Sequence, residues 1–299
     1  MVFFITGASS FIGVEICRYL SDCGHDVIAM SRRDNASLNQ LAAGGRLQVL
    51  RADMHNLVER AANVKADVFM HFAWAGTSHD DRNDPAIQEV NLVKSLEYVR
   101  LAGHMGCRLY VDAGSQAEYG IVPGPVTEET ACKPITAYGK CKLQMYRETA
   151  KMTEETGMKY IHLRIFSVYG ENDHPDSLIM SSLRKMRAGE LLEMHSGGQM
   201  WNYLYVKDAA RQIVELSLSA VSNDSFDKEV YHIASGDTRV LKNFILAMKH
   251  VTGSSSELRF GGYEKEKDVN LEPSIEKTEG VVKPVTLWRF EDVIREMSS

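Results

Sequence analysis

Short apolar runs alternate with segments of helical periodicity along the first 165 residues of this chain. The apolar runs lie at 2–6, 26–30, 47–52, 67–73, 108–114 and 160–166, and helical periodicity occurs near 11–22, 85–104 and 137–156. Runs that are apolar throughout are typical of strands buried on both faces, and strands that alternate with helices form parallel sheets. We therefore predict an α/β fold with a doubly wound parallel sheet, whose ligands bind at the carboxyl ends of the strands.

The regular alternation weakens after residue 166. Only the segments YLYV and VYHIA read as further strands, and loop-rich stretches are predicted at 170–177, 195–202 and 252–285. We infer a smaller C-terminal lobe that is interwoven with the sheet. The predicted division gives residues 1–166 and about 203–235 to the sheet domain, and about 167–202 and 236–299 to a substrate-binding lobe.

Composition indicates an ordinary globular protein with small-molecule partners. Of the 299 residues 44% are hydrophobic and 25% charged, and the net charge of -6 provides no basic surface for nucleic acid. The chain has no apolar window long enough for a membrane span and no pattern of a signal peptide, so we expect a cytoplasmic protein. The five cysteines form no CxxC pair, which argues against a disulfide framework and against a structural zinc site or other metal centre.

The first strand runs directly into a glycine turn and a helix start, TGASSFIG at 6–13. Gly7 permits a tight turn and Gly13 permits close packing of helix on strand, so the first-turn N–H groups, those of Phe11 and Ile12 among them, can face an anion. The expected anion is a dinucleotide pyrophosphate. Ser10 replaces a glycine of the usual fingerprint, and the hydroxyls of Ser9 and Ser10 can serve the phosphate; alone, this turn would also fit a kinase.

Three further patches follow this turn in a fixed order. Together with it the chain resembles the extended short-chain dehydrogenase/reductase family, the NAD(P)-dependent nucleotide-sugar epimerases, dehydratases and ketoreductases. The resemblance implies a Rossmann domain with a small substrate lobe, a nucleotide-sugar substrate and a homodimer formed through the helices near 85–104 and 137–156. The three patches are DAGSQAEYG at 112–120, AYGKCK at 137–142 and RIFSVYG at 164–170.

Tyr138 and Lys142 are four residues apart on a predicted helix and therefore share one face. An ammonium group beside a phenol favours the phenolate, so we expect Lys142 to lower the pKa of Tyr138. The family resemblance implies that Lys142 also reaches the ribose hydroxyls of the nicotinamide, and that Ser115 holds a substrate oxygen beside Tyr138. These three residues suit the interconversion of a carbonyl and an alcohol by hydride transfer.

The end of the second strand bears on the choice of cofactor. An NAD-binding fold usually has an Asp or Glu there, whereas this chain has Ser31, Arg32 and Arg33, which suit a 2′-phosphate. We therefore favour NADP(H), with NAD(H) as the alternative, since paired arginines are often solvated loop charges. By resemblance, Asp53 and Met54 contact the adenine. The small side chains of Ala73 and Ala75, at the end of the fourth strand, are expected to leave room for the cofactor.

The residues after Ser115 narrow the reaction. A 4,6-dehydratase of this family would have an Asp-Glu pair where this chain has Gln116 and Ala117, and neither can act as acid or base. The remaining prediction is NADPH-dependent reduction of a keto group, at C4 of a nucleotide-linked 4-keto-6-deoxyhexose, as in abequose-synthase-like 4-ketoreductases. Two alternatives stay open: a 4-epimerase that retains NAD, and a reductase of a non-sugar carbonyl.

The predicted substrate residues depart from the family pattern. Ser167 stands where many members have Asn, and Trp201 begins a segment that in many members is Arg-Asp-Phe and binds the diphosphate. We expect Ser115, Gln116, Ser167 and Trp201 to contact the substrate, while the sugar and its nucleotide are left open. Glu118 is expected to pair behind the strand without a catalytic role.

Overall fold

The computed structural model of this protein describes residues 1–78, 80–261 and 269–299. Its strands in chain order are β1 (Val2–Thr6), β2 (Asp26–Ser31), β3 (Leu47–Arg51), β4 (Val68–His71), β5 (Leu109–Ser115), β6 (Lys159–Ile165), β7 (Ser167–Tyr169), β8 (Leu192–Met194), β9 (Met200–Tyr205), β10 (Lys228–Ile233), β11 (Thr238–Val240) and β12 (Leu258–Phe260). Its helices are α1 (Phe11–Asp22), α2 (Ala36–Ala43), α3 (Leu57–Arg60), α4 (Pro85–Met105), α5 (Ala137–Thr156), α6 (Leu178–Ala188), α7 (Val206–Ser222), α8 (Leu241–Thr252), α9 (Glu276–Glu279) and α10 (Phe290–Ser298).

Seven strands form a parallel sheet in the order β10-β6-β5-β4-β1-β2-β3. One apolar core lies between this sheet and helices α1, α2 and α7, and a second lies between the other face and helices α3, α4 and α5. The doubly wound α/β fold predicted from the apolar runs is therefore confirmed. The runs are apolar throughout because each central strand is buried on both faces.

The strand order reverses direction between β1 and β4, which are neighbours although β2 and β3 come between them in the chain. Such a switch point opens a crevice at the carboxyl ends of the two strands. Helix α1 begins at this crevice after the Ser10 N-cap, and helix α4 begins nearby after the Asp84 N-cap. The fold thus places the glycine turn and the end of β4 at one edge of the sheet.

The chain after residue 166 is more regular than the sequence predicted. Strands β7, β9 and β11 form a second sheet, β8 pairs with β12, and helices α6, α8 and α10 pack around an apolar core with them. The prediction of only two later strands was wrong, because strands of three residues are too short to show an alternating pattern. Residues 200–202 of the predicted 195–202 loop lie in β9, and the 252–285 stretch contains β12 and α9.

The two predicted later strands lie in different sheets. β10 pairs with β6 at the edge of the seven-stranded sheet, whereas β9 lies between β7 and β11 in the smaller one. The division of the chain into a sheet domain and a substrate lobe stays a prediction. Residues 262–268 of the predicted 252–285 loop lie outside the described part of the chain. Within residues 1–78, 80–261 and 269–299, no helix is long and apolar enough to cross a bilayer.

Candidate active site

A cavity of about 280 Å³ opens at the switch point of the sheet. Gly7 forms the turn below it with φ of +72°, a conformation that glycine adopts without strain. A Cβ on Gly13 would lie 2.2 Å from the Gly7 carbonyl oxygen, so only glycine allows α1 to approach this turn. The cavity is lined by Gly7, Ser9, Ser10, Met30, Arg32, Met54, Phe72, Ala73, Trp74 and Ala75.

These lining residues fit a dinucleotide. The glycine turn and the start of α1 leave open backbone for a pyrophosphate, and Arg32 provides a guanidinium at the β2 end of the same cavity. The small side chains of Ala73 and Ala75 leave room along the end of β4, as the sequence suggested. A nicotinamide dinucleotide would therefore be held by residues from the ends of β1, β2 and β4.

Several predicted cofactor residues do not line this cavity. The Ser31 side chain is buried, and its hydroxyl donates to the Arg33 carbonyl at 2.7 Å. Of Ser31, Arg32 and Arg33, Arg32 alone is among the residues that line the cavity. The Asp53 carboxylate accepts the backbone N–H groups of His55 and Asn56 and caps a turn.

The residues that start α1 mainly support the turn. The Ser10 hydroxyl accepts the Gly13 N–H at 3.1 Å, so it caps the helix while its residue lines the cavity. The side chains of Phe11 and Ile12 pack against apolar cores. Their contribution to an anion is therefore limited to backbone N–H groups.

The structure brings Ser115, Tyr138 and Lys142 together beside this cavity. Ser115 ends β5, and Tyr138 and Lys142 lie in the first two turns of α5, so sheet and helix meet at the site. The Ser115 side chain lies near the Tyr138 phenol and opposes the rise in its pKa that burial causes. The Tyr138 ring also meets the edge of Trp74, a cavity-lining residue, with ring centres 5.9 Å apart.

The approach of α5 to β5 depends on Gly139. A Cβ at this position would lie 2.5 Å from the carbonyl oxygen of Ala117, which belongs to the 3₁₀ turn after Ser115. The Thr136 hydroxyl accepts the N–H of Gly139 and begins the helix there. The sequence Thr136-Ala137-Tyr138-Gly139 therefore fixes both the start of α5 and its distance from the serine.

Lys142 is buried, and its ammonium contacts groups within the protein. Its ammonium donates to the Ala113 carbonyl at 2.6 Å and lies 3.5 Å from the centre of the Trp74 ring. Burial lowers the pKa of Lys142 to about 7, against the opposing influence of Asp112 and Glu118. The lysine therefore contacts the wall of the cavity through Trp74.

The expected effect of Lys142 on Tyr138 is not found in this arrangement. Burial raises the pKa of the Tyr138 phenol, and the groups that oppose this shift are Arg82 and Ser115. Lys142 is directed to Ala113 and Trp74 instead, with its ammonium 5.7 Å from the centre of the Tyr138 ring. Spacing on the helix was right, but burial of both side chains changes the electrostatic result.

A buried charge network supports Ser115 from behind. The Glu118 carboxylate accepts the Ser115 N–H at 2.7 Å, and the Ser115 hydroxyl accepts the Ala117 N–H. Glu118 is itself held by His162 at 3.0 Å and by Arg164 at 3.0 Å. The expectation that Glu118 pairs behind the strand is thereby met, and the pairing fixes the turn that presents Ser115.

His162 lies on β6 and connects this turn to β5. Its other ring nitrogen lies 2.6 Å from the Asp112 carboxylate, directly across from it on β5. Burial disfavours the charged imidazole, but Glu118 and Asp112 outweigh burial and raise the pKa of His162 to about 9. Burial alone would raise the pKa of Glu118, but His162 and Arg164 outweigh burial and hold this pKa below its usual value.

The other predicted substrate residues do not line the dinucleotide cavity. Gln116 lines a narrow crevice together with Phe166 and Asn270, and Ser167 begins β7 opposite Tyr203 on β9. Trp201 is half-buried among apolar side chains, and its indole N–H has no hydrogen-bond partner in the described residues.

Sequence reasoning missed two residues at the site, Trp74 and Arg82. Trp74 contacts both Tyr138 and Lys142, and the Arg82 guanidinium lies 5.0 Å from the centre of the Tyr138 ring. The large aromatic between Ala73 and Ala75 was a visible signal at a strand end. Arg82 gave no comparable signal, because it lies in a loop whose path only the fold defines.

Three curated proteins similar to this chain are nucleotide-sugar enzymes by name. The dTDP-6-deoxy-L-talose 4-dehydrogenase (NAD(+)) of Aggregatibacter actinomycetemcomitans is 26% identical over 249 residues, 81% of this chain and 87% of that protein. The UDP-glucose 4-epimerase of Corynebacterium glutamicum is 23% identical, covering 85% of this chain and 81% of that one. The CDP-abequose synthase of Salmonella muenchen is 21% identical, covering 90% and 86%.

Solved structures share the fold across the chain. A UDP-galactose 4-epimerase superposes with a TM-score of 0.83 at 20% identity, covering 100% of this chain and 97% of that one. MoeE5 in complex with UDP-glucose and NAD superposes with a TM-score of 0.83 at 22% identity, covering 98% and 96%. The model of the NAD dependent epimerase/dehydratase family matches residues 3–234. With its glycine turn, Ser115, Tyr138 and Lys142 in the order predicted for an extended short-chain dehydrogenase/reductase, this chain belongs to the NAD dependent epimerase/dehydratase family.

Proposed function

We propose that this protein reduces the C4 keto group of a nucleotide-linked 4-keto-6-deoxyhexose with NADPH. The observation that carries the proposal is that Ser115 and Tyr138 lie next to each other beside a cavity that Arg32 lines, with Gln116 and Ala117 directly after Ser115. The pair can handle a proton at a carbonyl oxygen, whereas Gln116 and Ala117 cannot remove protons from carbon as a dehydratase requires.

The residues of this chain have separate roles in the proposed reaction. A nicotinamide dinucleotide bound in the cavity supplies the hydride. Ser115 and Tyr138 hold the keto oxygen between their hydroxyls, and the Tyr138 phenol donates a proton to that oxygen as the alcohol forms. Lys142 and Trp74 define the wall between Tyr138 and the cavity. The Glu118 network keeps the Ser115 backbone in place, so the serine hydroxyl is preorganised.

The NADPH preference depends on the end of β2. Arg32 lines the cavity and no carboxylate is present among its lining residues, so a 2′-phosphate would meet a cation and no repelling charge. The relative named for NAD(+) makes NADH the competing cofactor. The comparison of both reduced dinucleotides is therefore part of the test.

The second candidate is a nucleotide-sugar 4-epimerase that retains NAD. It is supported by the relatives and the solved neighbour named 4-epimerases, which share most of the chain length. An epimerase returns its hydride to the same sugar and releases no dinucleotide. The two candidates therefore differ in net consumption of NADPH.

The test is a panel of dTDP-, GDP- and CDP-linked 4-keto-6-deoxyhexoses incubated with the purified protein and NADPH or NADH. We expect NADPH to be oxidised with at least one sugar, and Tyr138→Phe to bind NADPH but not to oxidise it. No oxidation with any sugar, together with stoichiometric NAD released on denaturation, would instead establish the epimerase. Sedimentation of the same preparation would test the homodimer that we also propose from the family resemblance.

A further inference from the structure

The loop between β4 and α4 is built to hold Arg82 in one place. The Arg82 Nε donates to the Thr77 carbonyl at 3.0 Å. The Gln88 amide nitrogen donates to the carbonyls of Gly76 and Asp81 at 2.9 Å each, and its oxygen accepts the Trp74 indole N–H at 2.8 Å. Gln88 is fully buried, so these bonds tie the loop to α4 and to the cavity wall.

This loop places a cation at the Tyr138 ring. The Arg82 guanidinium lies 5.0 Å from the ring centre, closer than the Lys142 ammonium at 5.7 Å. A phenolate spreads its negative charge into the ring, so a nearby cation stabilises it relative to the neutral phenol. Arg82 is exposed, so the desolvation free energy of its charged guanidinium at this position is small.

The Lys142 ammonium is directed away from the Tyr138 phenol in the same arrangement. Its ammonium is bonded to Ala113 and stacked on Trp74, and burial lowers the pKa of Lys142 to about 7. Its ammonium thus contacts groups other than the Tyr138 phenol. A guanidinium stays protonated throughout the pH range of folded proteins.

The other groups that face Tyr138 do not replace Arg82. Ser115 at the end of β5 offers a hydrogen bond, and Glu118 in the following turn opposes the phenolate with its negative charge. Lys142 on α5 is the remaining cation near the ring. Among the described residues, Arg82 is therefore the cation that lies nearer to the Tyr138 ring.

We propose that Arg82 is a positioning residue for proton transfer, whose guanidinium, held by the Thr77 carbonyl over the Tyr138 ring, stabilises the phenolate left when Tyr138 gives up its proton. The inference rests on the proposed function only in taking Tyr138 as the group that transfers the proton. It adds a residue from the loop before α4 to the Tyr138 and Lys142 pair.

The test follows the ionisation of Tyr138 by the near-ultraviolet absorbance of tyrosinate in the ligand-free, full-length protein. Tyr138→Phe is subtracted in each background, so the difference reports this tyrosine alone. We expect Arg82→Ala to shift the ionisation up by about one pH unit, Arg82→Glu to shift it further, and Arg82→Lys to restore most of the wild-type value. Arg100→Ala, which removes an exposed arginine near the far end of the following helix α4, should leave it unchanged.

Equal Tyr138 ionisation in the wild type and Arg82→Ala would overturn the proposal. Ionisation of Tyr138 only within the alkaline unfolding transition of the wild type would overturn it as well, since the phenolate would then not be held in the folded protein. Circular dichroism of each variant shows that the fold is intact. This readout needs no sugar, so failure of the reductase assay and failure of the Arg82 proposal are distinguishable.

Discussion

The Lys142 ammonium lies against the face of the Trp74 indole, 3.5 Å from the ring centre. An ammonium this close to an indole face is stabilised by the ring quadrupole, more strongly when water is excluded. Lys142 is nearly fully buried, and Trp74 lines the dinucleotide cavity. The tryptophan therefore connects the charge of the lysine to the site where the cofactor is proposed to bind.

The charge of Lys142 should make dinucleotide binding depend on pH. Burial lowers the pKa of Lys142 to about 7, so the ammonium is present below that pH and is lost as the pH rises through it. We expect the affinity for NADH, which has no titrating 2′-phosphate, to fall as the pH rises through about 7. Trp74→Leu should move this fall to lower pH, whereas Trp74→Phe, which keeps an aromatic face, should move it less.

Fluorescence titration of NADH across neutrality checks this expectation. Lys142→Met serves as the control, since it should bind weakly and without a pH dependence in this range. A wild-type affinity that stays level through neutrality would contradict the proposed contact of Lys142 with the cofactor.

Cofactor preference should depend on Arg32 and not on its neighbour. Arg32 lines the cavity, whereas Arg33 is exposed and does not. A charge-assisted hydrogen bond to a 2′-phosphate contributes about 1.5–3 kcal/mol, so Arg32→Ala should weaken NADPH binding about tenfold to a hundredfold. NADH binding should hardly change. Calorimetric titration of both dinucleotides into Arg32→Ala and the matched Arg33→Ala measures the difference, and equal effects of the two variants would refute the assignment.

Gly139→Ala should damage activity more than stability. The added Cβ would lie 2.5 Å from the Ala117 carbonyl oxygen, so α5 must move away from the turn that carries Ser115. We expect a loss of about 1–3 kcal/mol in the free energy of unfolding, from overpacking. A displacement of Tyr138 by about 1 Å should lower turnover by about a hundredfold.

The matched control for this change is Gly103→Ala on α4, where an added Cβ meets no atom within 4 Å. That variant should gain up to about 1 kcal/mol, because alanine favours a helix over glycine. Urea unfolding and NADPH oxidation are measured on both variants. Turnover that falls equally in both would show that the spacing at Gly139 has no special role.

His162 should make stability decrease in mildly alkaline solution. Its pKa is raised from 6.5 to about 9 in the folded protein, so its contribution is fully present below about pH 6.5 and is lost as the pH rises through about 9. The shift corresponds to about 3 kcal/mol at most. Urea unfolding of the wild type and His162→Gln should therefore give free energies that converge as the pH rises.

A second measurement avoids the risk that His162→Gln fails to fold. Nuclear magnetic resonance of histidine-labelled wild type should show one imidazole that stays protonated up to about pH 9. This signal can be assigned to His162 because Tyr160→Phe, which removes the hydroxyl next to the His162 ring, should change its chemical shift. An imidazole set that titrates wholly near the ordinary histidine pKa would contradict the charged state of His162.

The sequence predicted the central sheet well because its strands are long and buried on both faces. The glycine turn and the order of Ser115, Tyr138 and Lys142 could likewise be found, since each lies in a short segment with its own pattern. The four three-residue strands of the C-terminal part could not, because three residues show no periodicity.

The electrostatics of the site were beyond sequence reasoning for a different reason. The pKa of Tyr138 depends on burial and on Arg82, and neither can be derived from the spacing of Tyr138 and Lys142. The buried pair of Asp112 and His162 depends on β5 lying next to β6, which no local pattern states. Ser31 resembled a phosphate ligand, but its hydroxyl is bonded to its own loop.

The charge network also specifies which strands are neighbours. Asp112 and Glu118, the two acids, come from β5 and the turn after it, while His162 and Arg164, the two bases, come from β6. A sheet in which β5 did not lie beside β6 would bury two carboxylates without cations, at a cost of several kcal/mol for each ion. The ion pairs thus favour the pairing of β5 with β6 over other pairings, which a purely apolar surface would not distinguish.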